Sequence, residues 1–153
     1  MVTRGACNLG ELVAVYGTLR RDGSLHHRLC TAAGRAVAVG TATIAGDIYE
    51  VAPPDRDRHV GVSYPCLHPG GEARVVVELY DVVDRQLWHE LDELEGFDPD
   101  DLDNCEYHRV RVALHDAAPT GLDVREAWTY VYARGAADPA CRIAGGDWIA
   151  RAR

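Results

Sequence analysis

A chain of 153 residues fits one domain, and 47% apolar side chains are enough for an ordinary packed core. Its 16 basic side chains face 24 acidic ones, a net charge of -8, which argues against a nucleic-acid binder resting on phosphate neutralisation. Every basic side chain is arginine, so no lysine could form a Schiff base. No apolar run reaches the roughly eighteen residues of a membrane span. Met1 to Gly10, with one Arg and no apolar segment, does not read as a secretory signal. The expectation is a single cytoplasmic domain over residues 1–153, with no membrane or nucleic-acid partner.

In chain order, Glu11 to Tyr16 is an apolar, β-prone run that stops at Gly17, a buried strand entering a turn. Ser24 to Ala33 predicts a short helix with Ser24 as N-cap, ended by Gly34. Val37 to Val51 is rich in β-branched residues and broken at Gly40 and Gly46, which predicts one long bent strand or two paired ones. Pro53 to His59 reads as a polar loop, and the alternating, Val-rich Arg74 to Val83 as a strand. Asp84 caps a short amphipathic helix over Arg85 to Leu94, terminated by Gly96. An acidic loop follows, Phe97 to Asn104. Tyr107 to Leu114 and Arg125 to Ala133 alternate as the strands of a hairpin joined by an Ala117 to Asp123 loop. The tail from Gly145 carries Trp148 and is expected to pack back on the body. Strands dominate over two short helices, which predicts an α+β domain built on a mixed sheet or small barrel.

Several catalytic patterns are absent: there is no G-x-S-x-G elbow, no H-E-x-x-H and no phosphate-binding G-x-x-x-x-G-K. Cys7, Cys30, Cys66, Cys105 and Cys141 are odd in number and include no C-x-x-C pair, so neither a disulfide framework nor a zinc site is expected. His26 and His27 are adjacent, and on a helix they point about 100° apart, so they do not share a metal from one face. The inventory predicts no metal and no cofactor.

Two segments could carry chemistry. In Val13 to Arg21 a buried strand runs into Tyr16-Gly17-Thr18, where successive backbone N–H groups can turn outward and Gly17 permits a sharp turn and close ligand approach. Such a nest suits a carboxylate or a developing oxyanion; the alternative is an ordinary strand followed by a turn. Leu91 to Arg109 is dense in carboxylates, among them Glu93, Glu95, Asp98, Asp100, Asp101, Asp103 and Glu106. With Leu91 and Leu94 facing the core, Glu95 lies beside that face and is partly buried. Burial favours the neutral carboxyl, which general acid–base work at neutral pH needs. The alternative is a solvated acidic surface.

Taken together, the motifs resemble those of the γ-glutamylcyclotransferase-like proteins. The resemblance runs in order through Tyr16-Gly17-Thr18-Leu19-Arg20, His26-His27, Tyr64-Pro65, Leu91-Asp92-Glu93-Leu94-Glu95-Gly96, Tyr107-His108-Arg109 and Gly146-Asp147-Trp148, covering residues 11 to 149. The Y-G-T-L form is closer to the γ-glutamylamine branch than to the Y-G-S-N form of the glutathione-linked branch. The resemblance implies a small mixed-sheet β-barrel with flanking short helices and one pocket. It puts the glutamyl moiety on the backbone of Tyr16, Gly17, Thr18 and Leu19. It makes Glu95 the general acid/base and Tyr107 a pocket wall or hydrogen-bond donor. One departure is Leu25, which stands where many relatives have Asn.

The reaction so implied is intramolecular. The α-amine of a γ-glutamyl amide attacks its own γ-carbonyl and releases an amine as 5-oxoproline forms, with no protein nucleophile or metal. Some bacterial relatives of the γ-glutamylamine branch remove γ-glutamyl protecting groups during antibiotic biosynthesis. With Asp98, Asp100, Asp101 and Asp103 beside Glu95, this suggests a cationic leaving amine, a polyamine or an aminoglycoside. Two rival classes stay open: a non-catalytic module binding small molecules in the same pocket, and a thiol amidase using Cys66 or Cys105.

Overall fold

The computed structural model describes residues 11–51 and 63–152; the loop expected over Pro53–His59 and Cys7 lie outside them. Six strands form one mixed sheet: β1 (Leu12–Val15), β2 (Ala36–Val51), β3 (Tyr64–Val82), β4 (Tyr107–Ala113), β5 (His115–Ala118) and β6 (Glu126–Tyr132), in the order β4-β6-β1-β3-β2-β5. β1 is central. It runs antiparallel to β3 (Leu12 opposite Asp81, Val15 opposite Glu78) and parallel to β6, with Val13 opposite Trp128.

A strand in that place is covered on both faces, which is why β1 reads as unbroken apolar sequence. Leu12, Ala14 and Tyr16 join a core with Ile44, Ile48, Leu67, Val77, Leu79 and Trp148. Val13 and Val15 join a second core with Leu87, Trp88 and Leu91, from the other side. Only Leu114 separates β4 from β5, yet these strands are the two edges of the sheet. One residue spans under about 7 Å, so the sheet curls until its edges meet at that corner. No ladder joins them, and the result is an open, curled sheet short of a closed barrel.

The single α-helix of the described residues, α1 (Arg85–Glu95), is bounded as its sequence predicts. Asp84 accepts a hydrogen bond from Gln86 N at 3.0 Å, and Gly96 closes the helix at φ 70°. Leu87, Trp88 and Leu91 are its buried face. β2 is one strand, bent where its register with β3 shifts, between Ala38 and Gly40 and between Ala45 and Gly46.

Three expectations need correction. Ser24 caps nothing, and the segment after it forms two 3-10 turns, His26–Leu29 and Thr31–Ala33, interrupted by Cys30 at φ 56°. Leu29 alone of these residues is buried, and so short a helix is marginal without an apolar face to pack. The strand expected at Arg74 begins instead at Tyr64. Its register jumps from Ala45↔Arg74 to Gly46↔Pro69, and the bulge spans Gly70 and Gly71, both at positive φ. Finally, β4 and β6 pair as foreseen, but the segment joining them contributes β5, which pairs with Thr41 and Thr43 of β2. Trp148 in the tail is buried, with the Arg151 guanidinium 3.4 Å from its ring centroid. No described helix is long and apolar enough to cross a membrane.

Candidate active site

β1 ends in a pocket. Its lining includes Ala14 to Leu19, Tyr64 and Pro65 from the start of β3, Glu95 at the last turn of α1, Tyr107 from β4, and Thr129 and Tyr130 from β6. The cavity is narrow, with a volume of about 30 Å³. Glu95, Tyr16, Gly17, Thr18, Leu19 and Tyr107, which the sequence singles out across more than half the chain, therefore share one cavity.

The turn after β1 is arranged by its carbonyls. The Gly17 carbonyl accepts from Arg20 N at 3.0 Å and the Thr18 carbonyl from Leu25 N at 2.8 Å. The Leu19 carbonyl lies 2.9 Å from His26 Nδ1, a hydrogen bond when that nitrogen carries the proton. Among the described residues, no backbone hydrogen bond occupies the N–H groups of Gly17, Thr18 or Leu19. Successive N–H groups left over in this way make an anion-binding concavity. His26 is thus a half-buried brace of the turn. His27 is exposed, and the described residues contain no cluster of three or more His, Cys, Asp or Glu that could hold a metal ion. Leu25 packs on the core and does not line the pocket.

Gly17 is required for a reason the sequence does not disclose. Its φ is not in the left-handed region, so the turn makes no use of glycine's access to positive φ. A Cβ there would lie 2.3 Å from Pro65 Cγ and 2.7 Å from Cδ. The glycine lets β1 and β3 approach at the pocket.

Four tyrosines surround the cavity, each donating its proton to the protein. Tyr16 Oη donates to the Tyr130 carbonyl at 2.6 Å and Tyr107 Oη to the Pro65 carbonyl at 2.8 Å. Tyr64 donates to Glu106 Oε2 at 2.6 Å and Tyr130 to Asp92 Oδ1 at 2.6 Å. Burial is the largest cause pushing the Tyr16, Tyr107 and Tyr130 phenols up, and the Glu95 carboxylate raises all three further. They are neutral at physiological pH. Tyr107 is therefore a wall whose hydroxyl is committed to Pro65. Glu95 is partly buried, and it lies close enough to three buried phenols to influence each.

Sequence reasoning passed over Asp92, Thr129 and Tyr130, and gave Tyr64 and Glu106 no role in the site. Glu106 is 2% exposed beneath Tyr64. No local signal marks it, because its partner is 42 positions away. The aspartates of the acidic loop do not line the pocket. Asp98 Oδ1 accepts from Asp100 N at 2.9 Å, and the Asp101 carboxylate accepts from Asn104 Nδ2 at 2.9 and 3.1 Å, so two of the four build the loop itself. The thiols fare no better as nucleophiles. Cys66 is buried and its pKa is pushed up by that burial to about 11. Cys105 is buried, with Sγ 3.2 Å from Asp98 N and 3.3 Å from the Asp101 carbonyl.

Comparison with known proteins brings in a family. The model described as "Gamma-glutamyl cyclotransferase, AIG2-like" matches residues 13–150. No curated protein sequence matches the chain. Among solved structures, an uncharacterised protein, PH0828, from Pyrococcus horikoshii aligns over 90% of this chain and 88% of its own, at 23% identity and a TM-score of 0.59. The ytfP protein of Escherichia coli aligns over 93% and 99%, at 25% identity and a TM-score of 0.54. An aig2-like protein from Mus musculus aligns over 86% and 81%, at 23% identity and a TM-score of 0.52.

Proposed function

Since the chain belongs to the γ-glutamyl cyclotransferase, AIG2-like family, we propose that it cleaves γ-glutamyl amides into 5-oxoproline and a free amine, with Glu95 as general acid/base. The substrate's α-amine nitrogen attacks its γ-carbonyl carbon. The lactam C–N bond forms, the carbonyl oxygen takes the negative charge, and the bond to the leaving amine then breaks. One proton must leave the attacking nitrogen and reach the departing one. Glu95 accepts it and returns it. The observation that carries this reading is the meeting, in one cavity, of the Glu95 carboxyl with a turn whose N–H groups are left over by its own hydrogen bonding.

The magnitudes are adequate without a protein nucleophile. Well-oriented intramolecular attack is worth about 7–11 kcal/mol. A backbone oxyanion site adds about 3–4 kcal/mol, and a placed proton carrier contributes on the order of 10²–10⁴-fold. In this reading the glutamyl carboxylate or the oxyanion faces Gly17 to Leu19, and Tyr107 bounds the cavity. The leaving amine is cationic, a polyamine or an aminoglycoside-type amine. It is drawn by the exposed carboxylates of Asp98, Asp100, Asp101 and Asp103 at a distance, an attraction that salt screens beyond about 8–10 Å.

The test is a panel of γ-glutamyl amides, γ-glutamyl polyamine and γ-glutamyl-alanine included, with 5-oxoproline quantified by mass. Turnover is expected in wild type, with the cationic amide preferred at low salt and the preference narrowed at high salt. Glu95→Gln is expected to fall below about a tenth of wild-type kcat, more than about 1.4 kcal/mol. Retention of more than that removes Glu95 from the chemistry. Tight binding of γ-glutamyl amides with no 5-oxoproline would favour the binding module.

A further inference from the structure

Asp92 stands three residues before Glu95, one turn back along α1. Its carboxylate is held by two strands at once. Arg109 of β4 donates through Nε to Oδ1 at 2.9 Å and through Nη2 to Oδ2 at 3.2 Å. Tyr130 of β6 donates its hydroxyl to the same Oδ1 at 2.6 Å. Arg109 and Tyr130 are directly opposite each other in the β4–β6 ladder, so the two donors form one fixed fork. Arg109 is itself enclosed by rings: its guanidinium carbon lies 4.8 Å from the Trp88 centroid, 5.7 Å from Phe97 and 5.0 Å from Trp128. Trp88 lies on α1 and Phe97 just after it, so the cation sits under the last two turns of the helix.

We propose that the Asp92–Arg109–Tyr130 fork is the positioning device of the site: it fixes the last turn of α1 on the sheet and so sets where the Glu95 carboxyl stands in the pocket. The proposal rests on the reading of Glu95 as acid/base. Two consequences follow from the geometry. The fork acts through side chains on the helix end that carries Glu95, and it meets the Tyr16–Leu19 turn only at the Tyr130 main-chain carbonyl, which accepts from Tyr16 Oη, so it governs proton transfer more than substrate binding. It also occupies the Tyr130 proton, so this phenol, which lines the cavity, does not donate into it. The aromatic enclosure matters because a guanidinium with few alternative positions holds its carboxylate with little freedom. A carboxyl misplaced by about 1 Å can cost on the order of 10²-fold in rate.

Asp92→Asn keeps the side-chain shape and an acceptor for Tyr130 but loses the charge that pairs with Arg109. Tyr130→Phe removes one of the three hydrogen bonds and leaves the ion pair intact; it keeps the proposal testable if Asp92→Asn fails to fold. Kinetics on a γ-glutamyl polyamine would be combined with amide hydrogen exchange followed by NMR. The exchange reporters are Gly96, whose N–H bonds the Glu93 carbonyl at 3.2 Å, and Phe97, whose N–H bonds the Asp92 carbonyl at 2.8 Å. For Asp92→Asn the expected result is a fall in kcat of about 10- to 100-fold, with KM within about threefold. Gly96 and Phe97 should exchange at least about tenfold faster while the amides at the start of α1 keep their protection. Tyr130→Phe should give the same pattern, smaller. Glu90→Gln, which breaks a pair with Arg35 elsewhere on α1, should move neither readout.

A fall in kcat matched by an equal rise in KM would make Asp92 a general structural residue and overturn the proposal. So would faster exchange with unchanged kcat, or unchanged exchange. If wild type turns over no γ-glutamyl amide, the acid/base reading fails and positioning for catalysis fails with it. If wild type turns over the amide and Asp92→Asn leaves both readouts alone, only the fork is refuted.

Discussion

Replacing Gly17 by alanine would put a methyl group 2.3 Å from Pro65 Cγ and 2.7 Å from its Cδ. Attractive carbon contacts begin at about 3.5–4.0 Å, so the two segments must separate by more than about 1 Å. Neither is free to do so. Pro65 is buried, has no side-chain rotation to offer, pairs with Glu50 across the β2–β3 ladder, and receives the Tyr107 hydroxyl on its carbonyl at 2.8 Å. Because the Gly17 φ lies outside the left-handed region, alanine adds no backbone strain and the whole effect is steric. Overpacking of this kind costs about 1–3 kcal/mol, which for a chain of this size lowers Tm by roughly 2–12 °C. A turn pushed off its position should also lose at least about tenfold in kcat/KM. The decisive measurement is a double-mutant cycle by thermal melting and kinetics. In Gly17→Ala with Pro65→Ala, Cγ and Cδ are gone and the nearest remaining neighbour of the new methyl is Cβ, 3.7 Å away. The pair should recover about 1 kcal/mol or more relative to the sum of the single changes. Wild-type melting and kinetics in Gly17→Ala, or strict additivity in the pair, would refute the steric account.

Glu93 is exposed on α1 and does not line the pocket, so Glu93→Gln should keep kcat within about twofold of wild type, in contrast to Glu95→Gln. Tyr64→Phe strips the buried Glu106 carboxylate of a 2.6 Å hydrogen bond and should cost about 1.5–3 kcal/mol in urea unfolding; no change in midpoint would contradict that assignment. Hydrogen bonds from Arg35 hold the Asp84 and Glu90 carboxyls below their usual 3.8 and 4.5. Depressed carboxyls contribute stability above those values and lose it as pH falls through the lowered ones. Wild type should therefore keep its advantage over Arg35→Gln above about pH 4.5 and lose it progressively as pH falls below that; a difference that stays constant on acidification would be inconsistent. Iodoacetamide at neutral pH should label the exposed Cys141 and spare Cys66, whose burial raises its thiol to about 11, with 5-oxoproline formation retained. Turnover should also survive dialysis against a chelator; zinc-restored activity would point to a different chemistry.

Much of the scaffold is legible along the chain because its signals are local. Asp84 and Gly96 mark the ends of α1 through hydrogen bonds to neighbours within a few residues. The apolar run of β1, the bends of β2 and the alternation of β4 and β6 likewise follow from side-chain period. Where local signals mislead, a long-range contact has prevailed. Pro65, Pro69, Gly70 and Gly71 argue against a strand from Tyr64, yet pairing with β2 holds that stretch in the sheet and expels the glycines as a bulge. Ser24 offers a cap, but Leu25 N is committed to the Thr18 carbonyl and the segment stays in 3-10 turns.

The sequence by itself determined the α+β class, the helix that carries Glu95 and the turn that follows β1. Each is written in residues adjacent to one another. The tertiary structure alone decided that these pieces share a cavity, since Tyr16 meets Tyr130 across 114 positions and Tyr107 meets Pro65 across 42. It decided why residue 17 is glycine, by setting Pro65 against it. It also decided that Asp92, one more carboxylate in an acidic stretch, is the one held by Arg109 and Tyr130. Propensity acts over a few residues, whereas the register of paired strands selects which distant side chains face one another.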